Sequence, residues 1–385
     1  MREHVDADAV VGATQALARV DTRNPPGEEV RAVAACRELL GPLGARVEVI
    51  EPSPGRASVV AALPRTGKPV LVVNGHLDVV PINRADWSVD PFGAEVADGR
   101  VWGRGTADMK GGIAAAIEAV AALARSGREP AWDLVFHLVA DEERGGRWGT
   151  RVLVEGGFCD GVAACLVPEP TDLDVCVAER GLLVAHLTTL GRPAHGSAPR
   201  QGISAIETAA KVVLALHAAD FDDQAHQLLG RPTANIGMIA GGSGHNTVAE
   251  SCRVTIDRRL LPGVTLEQAL AAVEAKVAAT LDPDLRYEIE VEVFGEASEM
   301  APTHPFAGLV GRCITEATGR SPEVIGMPFT TDARFVRNDA GVPAVVCGPG
   351  GIAQAHVHDE WVAIDRLVDA TAAFATLYAT AASPA

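Results

Sequence analysis

Three short apolar runs end abruptly in titratable residues, and this pattern leaves few architectures open to the chain. Val70–Val73 runs into Asn74-Gly75-His76-Leu77-Asp78, Trp132–Ala140 into Asp141-Glu142-Glu143, and Ala163–Val167 into Pro168-Glu169-Pro170. Each run has the length and apolar character of a buried strand. Segments with helical spacing lie around them, such as Ile113–Ala124, which Gly127 stops. Apolar strands alternating with helices make an α/β domain, a mixed and mostly parallel sheet flanked by helices. Ligands bind such sheets beyond the carboxyl ends of the strands. His76, Glu142, Glu143 and Glu169 all fall there, so residues distant in sequence are expected to converge.

His76 and Asp78 are two apart, so in an extended chain they share a side. A carboxylate beside an imidazole fixes one ring tautomer and makes the other nitrogen a better metal ligand. Asp108, in Gly103-Arg104-Gly105-Thr106-Ala107-Asp108-Met109-Lys110, stands where a helix begins. Each signal alone has an ordinary explanation. An Asp before a helix is usually an N-cap, Glu142-Glu143 is compatible with a solvated acidic turn, and Glu169 sits in a stiff turn between prolines. Like charges gathered after buried strands, however, repel one another without a cation. Ala355-His356-Val357-His358-Asp359-Glu360 adds a second histidine, either His356 or His358. The resulting nitrogen and oxygen donor set suits Zn²⁺, with Co²⁺ or Mn²⁺ as substitutes. A carboxylate at a helix start, as Asp108 is, can bridge two such ions about 3.5–4 Å apart.

The remaining segments set the domain plan. Asp8–Val20 and Glu28–Leu43 carry helical spacing, and Arg46–Ile50 and Ala57–Leu63 read as strands. From Gly181 the order changes to strand, helix, two strands, helix, strand. Its strands are Leu182–Leu190, Ala234–Ile239, Cys252–Leu260 and Tyr287–Val293, with helices at Ile203–Leu216 and after Thr265. Gln268 completes a capping box with Thr265. This is the ferredoxin-like α+β order. Residues 181–294 are therefore expected to form an inserted domain, with 1–180 and 295–385 joined as a catalytic metal-binding domain. In the last segment Phe306–Ala317 is a helix, Thr330 or Thr331 caps another, Ala344–Cys347 is a strand and the final helix starts near Asp365.

A length of 385 residues suits two domains. A net charge of −17 argues against a nucleic-acid partner. The seven cysteines are scattered without a C-x-x-C, the pattern of small core residues in a reducing compartment. The start of the chain is acidic with no apolar signal segment, and no apolar run reaches membrane length, so a cytoplasmic location is expected. H-E-x-x-H and G-x-S-x-G motifs are absent, and Gly103-Arg104-Gly105 has Asp108 where a dinucleotide loop needs its third glycine.

GHLDVVP, WSVDPF, GRVWGRGTADMKGG, DEERGG, PEPT and AHVHDEW, in that order along nearly the whole chain, resemble the dizinc metallopeptidase family. That family contains acetylornithine deacetylase, succinyl-diaminopimelate desuccinylase, aminoacylase and carboxypeptidase G. The resemblance implies that His76, Asp108 and Glu169 hold one metal and that Asp108, Glu143 and His356 hold the other. His356 is preferred over His358 because two residues separate it from the Asp359-Glu360 pair, as in the family. Asp78 is implied to orient His76, and Glu142 to act as general base. In the insert, GRPAHGSAP resembles the loop whose histidine, here His195, reaches an active site, usually that of a partner subunit. Asn246 resembles the substrate-side asparagine, and Arg259 the arginine that grips the substrate carboxylate; Arg258 lies on the opposite strand face. The family often dimerises through this domain, so the insert is expected to be a lid and dimerisation domain and the protein a homodimer.

The implied reaction is hydrolysis of the amide of an N-acyl amino acid. Glu142 takes a proton from water activated by the metal pair, and later gives it to the departing amine. His195 helps to stabilise the oxyanion. A dipeptidase or carboxypeptidase with the same metals is the alternative, and a non-catalytic binding protein is disfavoured by the complete ligand set.

Overall fold

The structure is a computed structural model that describes residues 1–221 and 224–381. The chain divides into two compact units. The first comprises Met1–Val177, Met300–Ile325 and Thr331–Ala385, and the second Ala178–Glu299 and Gly326–Thr330. The expected insert, 181–294, lies within the second unit, to which Gly326–Thr330 is added.

In chain order the first part of the fold contains α1 (Ala7–Ala18), α2 (Val33–Leu40), β1 (Arg46–Ser53), β2 (Arg56–Ala62), β3 (Val70–His76), β4 (Glu95–Ala97), β5 (Arg100–Trp102), α3 (Lys110–Ser126), β6 (Asp133–Val139), α4 (Thr150–Glu155), β7 (Val162–Pro170) and β8 (Val175–Glu179). Next come β9 (Gly181–Leu190), α5 (Ala205–Leu216), β10 (Thr233–Gly241), β11 (Ser251–Leu260), α6 (Leu266–Ala278), β12 (Arg286–Gly295) and β13 (Ser298–Glu299). The chain closes with α7 (Pro305–Thr318), β14 (Val324–Met327), β15 (Ala344–Gly348), β16 (Trp361–Ala363) and α8 (Ile364–Ala379).

The large sheet has nine strands in the order β1-β2-β6-β3-β7-β15-β8-β13, with β14 paired to β8. Its centre, β6-β3-β7-β15, is parallel. The β1-β2, β2-β6, β15-β8 and β8-β13 pairs are antiparallel. The expected parallel character therefore belongs to the central strands that carry the site. Every residue of β6 is buried, the polar Asp133 and His137 included, as suits a central strand covered on both faces. α3 is buried on nearly all sides and packs against α1 and α8. Gly127, at φ +68°, ends it in the left-handed conformation that glycine adopts without strain.

Register aligns the ends of the central strands. His76 is level with Val139, and Gly348 with Pro170. The residues that follow β6 and β15 therefore emerge beside His76 and Glu169. A small antiparallel sheet, β16-β5-β4, pairs Trp361 with Trp102. It brings Glu360, just before β16, level with the chain that leaves β5 toward Asp108.

The second unit holds a four-stranded antiparallel sheet, β10-β11-β9-β12. β9 alternates strictly between buried and half-buried residues, and its inward side packs with Val212, Ile256 and Val273 from the neighbouring strand and helices. The strand order and the two helices give the ferredoxin-like arrangement, and Thr265 and Gln268 form the expected capping box.

The segment after Thr331 departs from expectation. A short π-helical turn, Phe335–Asp339, replaces a capped α-helix, and no side chain caps it. The Thr331 hydroxyl instead accepts from the Ala333 N–H at 3.1 Å. The segment read as one helix over Glu28–Leu43 is α2 with a 3₁₀ turn at each end. Among the described residues no helix is long and apolar enough to cross a membrane, and all seven cysteines are free and buried.

Candidate metal centre

Five side chains of the first unit converge beyond the parallel strands. His76, Asp108 and Glu169 form one group of potential ligands, and Asp108, Glu143 and His356 another. Asp108 belongs to both. Its Oδ1 lies 3.1 Å from His76 Nε2, and its Oδ2 3.3 Å from His356 Nε2. Glu169 Oε1 is 3.6 Å from His76 Nε2, and Glu143 Oε2 is 3.2 Å from His356 Nε2. His356, not His358, is the histidine brought within reach of Asp108 and Glu143.

Local structure explains each placement. His76 ends β3, and Glu169 stands near the end of β7. Glu142 and Glu143 lie in a 3₁₀ turn after β6, entered through Asp141 at φ +71°. His356 is also left-handed, at φ +60°, in the loop after β15. A non-glycine residue holds such a conformation only where its surroundings enforce it, which is common at functional sites. Asp108 is not an N-cap: Met109 occupies that position before α3, and no side chain caps the helix. That leaves both Asp108 oxygens facing histidines.

The Asp78 carboxylate is engaged differently from the simple expectation. His76 Nδ1 donates to the Asp78 backbone carbonyl at 2.9 Å, which directs Nε2 toward Asp108 and Glu169. The Asp78 carboxylate stands 3.7 Å from Nδ1. It accepts instead from the Glu142 and Glu143 N–H groups, each at 3.1 Å, and from Asn24 Nδ2 at 2.9 Å.

The electrostatics are those of crowded, buried carboxylates faced by two imidazoles. Burial pushes the Glu142 carboxyl well above its ordinary range, and the charges of Glu169, Asp332 and Glu143 add to the effect. Burial also raises Glu143, and raises Glu169 to about 8 with help from Asp108. Asp108 is buried too, yet His356 and His76 hold it below its ordinary value. His356 is raised to about 10 by its hydrogen bonds to Asp108 and Glu143. Converging buried carboxylates with imidazole nitrogens turned toward them are the donor chemistry of divalent metal sites. The residues thus fit a pair of ions that share Asp108.

Several supporting residues had no role readable from the sequence. Asn24 Nδ2 links Asp78 to Asp141, and Arg56 Nη2 bonds Asp141 Oδ1 at 2.8 Å and Glu29 Oε1 at 2.7 Å. Asp332 is buried and raised to about 6, chiefly by burial. Thr150 donates to it at 2.7 Å and accepts from Asn74 at 2.9 Å. Asp141, inside an acidic turn, and Asp332, beside Thr331, stand out in the sequence as pocket candidates, but without a readable role.

The residues expected in the insert lie in the second unit. His195 is exposed, and its Nδ1 accepts from the Ser197 N–H at 3.2 Å and lies 2.8 Å from Ser197 Oγ. Its loop lies along the loop of Asn246, with the Gly196 N–H donating to the Asn246 carbonyl at 2.8 Å. Arg258 is buried over the Phe221 ring and donates to the Ala269 carbonyl at 2.8 Å. Arg259, on the other face, is paired with Asp257 at 2.9 and 3.1 Å and is half-buried.

Fold and site together define an α/β metallohydrolase architecture with two groups of candidate metal ligands. The family profile described as Peptidase family M20/M25/M40 matches residues 72–380. Among curated relatives, a succinyl-diaminopimelate desuccinylase of Roseobacter denitrificans is 31% identical over 319 residues, covering 79% of this chain and 81% of the relative. An acetylornithine deacetylase of Vibrio campbellii is 32% identical over 351 residues, covering 84% of each. A solved M20 metallo-carboxypeptidase of Sulfolobus solfataricus superposes with a TM-score of 0.82 at 18% identity, covering 96% of this chain and 99% of that one. An aminopeptidase of Bacillus cereus gives 0.79 at 21%, covering 98% and 99%. The chain belongs to the M20/M25/M40 peptidase family and is a hydrolase of that family.

Proposed function

We propose that the protein is a two-metal hydrolase that cleaves the amide bond of an N-acyl amino acid, in the manner of an acetylornithine deacetylase or succinyl-diaminopimelate desuccinylase. The observation that carries this reading is Asp108, with one oxygen toward His76 and the other toward His356. His76, Asp108 and Glu169 would hold one ion, and Asp108, Glu143 and His356 the other. Zn²⁺ suits the donors best, with Co²⁺ or Mn²⁺ as substitutes. When bound, the pair would supply Lewis-acid polarisation of the amide carbonyl and a more acidic water.

The chain's own residues supply the proton traffic and the positioning. Glu142 is the general base, taking a proton from the attacking water and giving it to the departing amine. Asp78 fixes the turn that presents Glu142 and Glu143, through their backbone N–H groups. His195 contributes to the oxyanion, Asn246 lines the substrate side, and Arg259 grips a carboxylate with its fork of donors. Residues 1–180 and 295–385 then act as the catalytic domain and 181–294 as the lid.

We also propose a homodimer formed through the second unit. Leu214 on α5 is 83% exposed, and Met238 on the edge strand β10 is 69% exposed. An apolar edge of this kind suits antiparallel pairing with its own copy. A cytoplasmic location is supported by the seven free, buried thiols.

The names of the two curated relatives described above, a desuccinylase and a deacetylase, favour acyl removal over the alternative, a dipeptidase or carboxypeptidase. A hydrolysis screen with added Zn²⁺ or Co²⁺ tests this directly by free-amine release. Turnover of N-acetyl amino acids or N-succinyl-diaminopimelate, exceeding that of dipeptides, is expected. Faster release from dipeptides contradicts the acyl-amino-acid reading, and no release from any of them contradicts the enzyme reading.

A further inference from the structure

Glu360 is fully buried and directly precedes β16. Its Oε1 accepts from two consecutive backbone donors, the Ala107 N–H at 2.9 Å and the Asp108 N–H at 3.1 Å. Its Oε2 takes the Arg104 guanidinium, whose carbon lies 5.2 Å from the Trp87 ring centroid. Its backbone carbonyl accepts from the Gly103 N–H at 2.8 Å. One residue of the His356 loop thus holds both ends of the segment Gly103–Asp108. The residue before it, Asp359, is fixed as well: its carboxylate accepts from the Ser88 N–H at 2.8 Å and the Ser88 hydroxyl at 2.7 Å.

We propose that Glu360 is a positioning residue that sets the distance between Asp108 and His356 by gripping the Asp108 backbone from the His356 loop. The inference rests on the two-metal reading above. Two of the three ligands of the Asp108–Glu143–His356 site depend on this grip, but only one of the three in the His76–Asp108–Glu169 site. Loss of the grip therefore acts chiefly on one ion. Residues behind metal ligands commonly tune affinity by about 10–100-fold.

The geometry distinguishes the grip from a simple buried ion pair. Glutamine at 360 keeps an oxygen that accepts both N–H groups but lacks the charge facing Arg104. Alanine lacks both. Methionine at 104 removes the ion pair and leaves the grip intact. Purified wild type, Glu360→Ala, Glu360→Gln and Arg104→Met are stripped of metal and titrated with Co²⁺, following visible absorption against a competing chelator. Thermal melting of each serves as a check on folding.

Wild type should take up two ions. Glu360→Ala should bind its second ion about 10–100-fold more weakly, with the first changed far less. Glu360→Gln and Arg104→Met should bind both ions within about threefold of wild type, even where their melting temperatures fall. A second-ion loss in Arg104→Met as large as in Glu360→Ala, or equal loss in the glutamine and alanine variants, overturns the inference. If Glu360→Ala does not fold, the other two variants still decide, since a tenfold second-ion loss in either refutes the grip. A wild-type chain that binds fewer than two ions overturns the two-metal reading itself. Two ions in wild type and undiminished binding in Glu360→Ala overturn only the role of Glu360.

Discussion

Glu142 is a carboxyl group whose surroundings oppose its ionisation: it is buried, and Glu169, Asp332 and Glu143 face it with like charge. Such a group is suited to accepting a proton and returning it. Glu142→Gln keeps the shape and removes the base. Metal content should stay at the wild-type value while kcat falls by roughly 10²–10⁴-fold; turnover within a few fold of wild type, with metal retained, contradicts the assignment. His137 makes a separate prediction about stability. It is buried with neither ring nitrogen hydrogen-bonded, and burial lowers it to about 4. Its folded value lies below the unfolded one, so between pH 6.5 and 4 the unfolded chain binds the extra proton, and stability is lost as pH falls. A difference of 2–3 pH units corresponds to about 3 kcal/mol. His137→Leu should flatten this part of the acid limb in denaturant melts at pH 7, 5.5 and 4.5; an acid limb unchanged from wild type counts against it.

At the scale of elements, the site depends on close approach between α3 and the end of β7. A Cβ at Gly112 would strike the Pro168 carbonyl oxygen, next to Glu169. Gly112→Ala should therefore cost about 1–3 kcal/mol of unfolding free energy and weaken ion binding at the His76–Asp108–Glu169 site. Denaturant melts and metal titration read the two effects, and an alanine variant as stable as wild type shows that the two elements can separate freely. The sequence was informative where one residue answers to one local rule. Apolar runs located β3, β6 and β7, and the Thr265 capping box located α6. The short strands β4, β5, β8 and β16 escaped because a few residues carry no period, and their partners lie far away in the chain. His76, Glu142, Glu143 and Glu169 were legible as candidates because they follow strands, whereas Asp108 and His356 were singled out by the family resemblance. Asn24, Arg56 and the roles of Asp332 and Glu360 were not legible, because their partners are chosen by tertiary packing: Arg56 meets Asp141 across 85 positions and Glu360 meets Arg104 across 256.

For the whole molecule, the chain carries a net charge of −17 and concentrates buried carboxylates in one place. Anything that binds the folded state alone stabilises it, by about 2.7 kcal/mol at a hundredfold excess over Kd. Saturating Zn²⁺ should therefore raise the melting temperature and a chelator should lower it, as followed by circular dichroism; a midpoint that ignores both argues that no ion is held between these side chains. The central claim is a shared pair of cations, and anomalous diffraction at the zinc edge from zinc-loaded crystals tests it most directly. The account predicts two peaks per chain with the Asp108 carboxylate between them, one beside His76 and Glu169, the other beside Glu143 and His356. A single peak, or none with the two histidines turned apart, contradicts it.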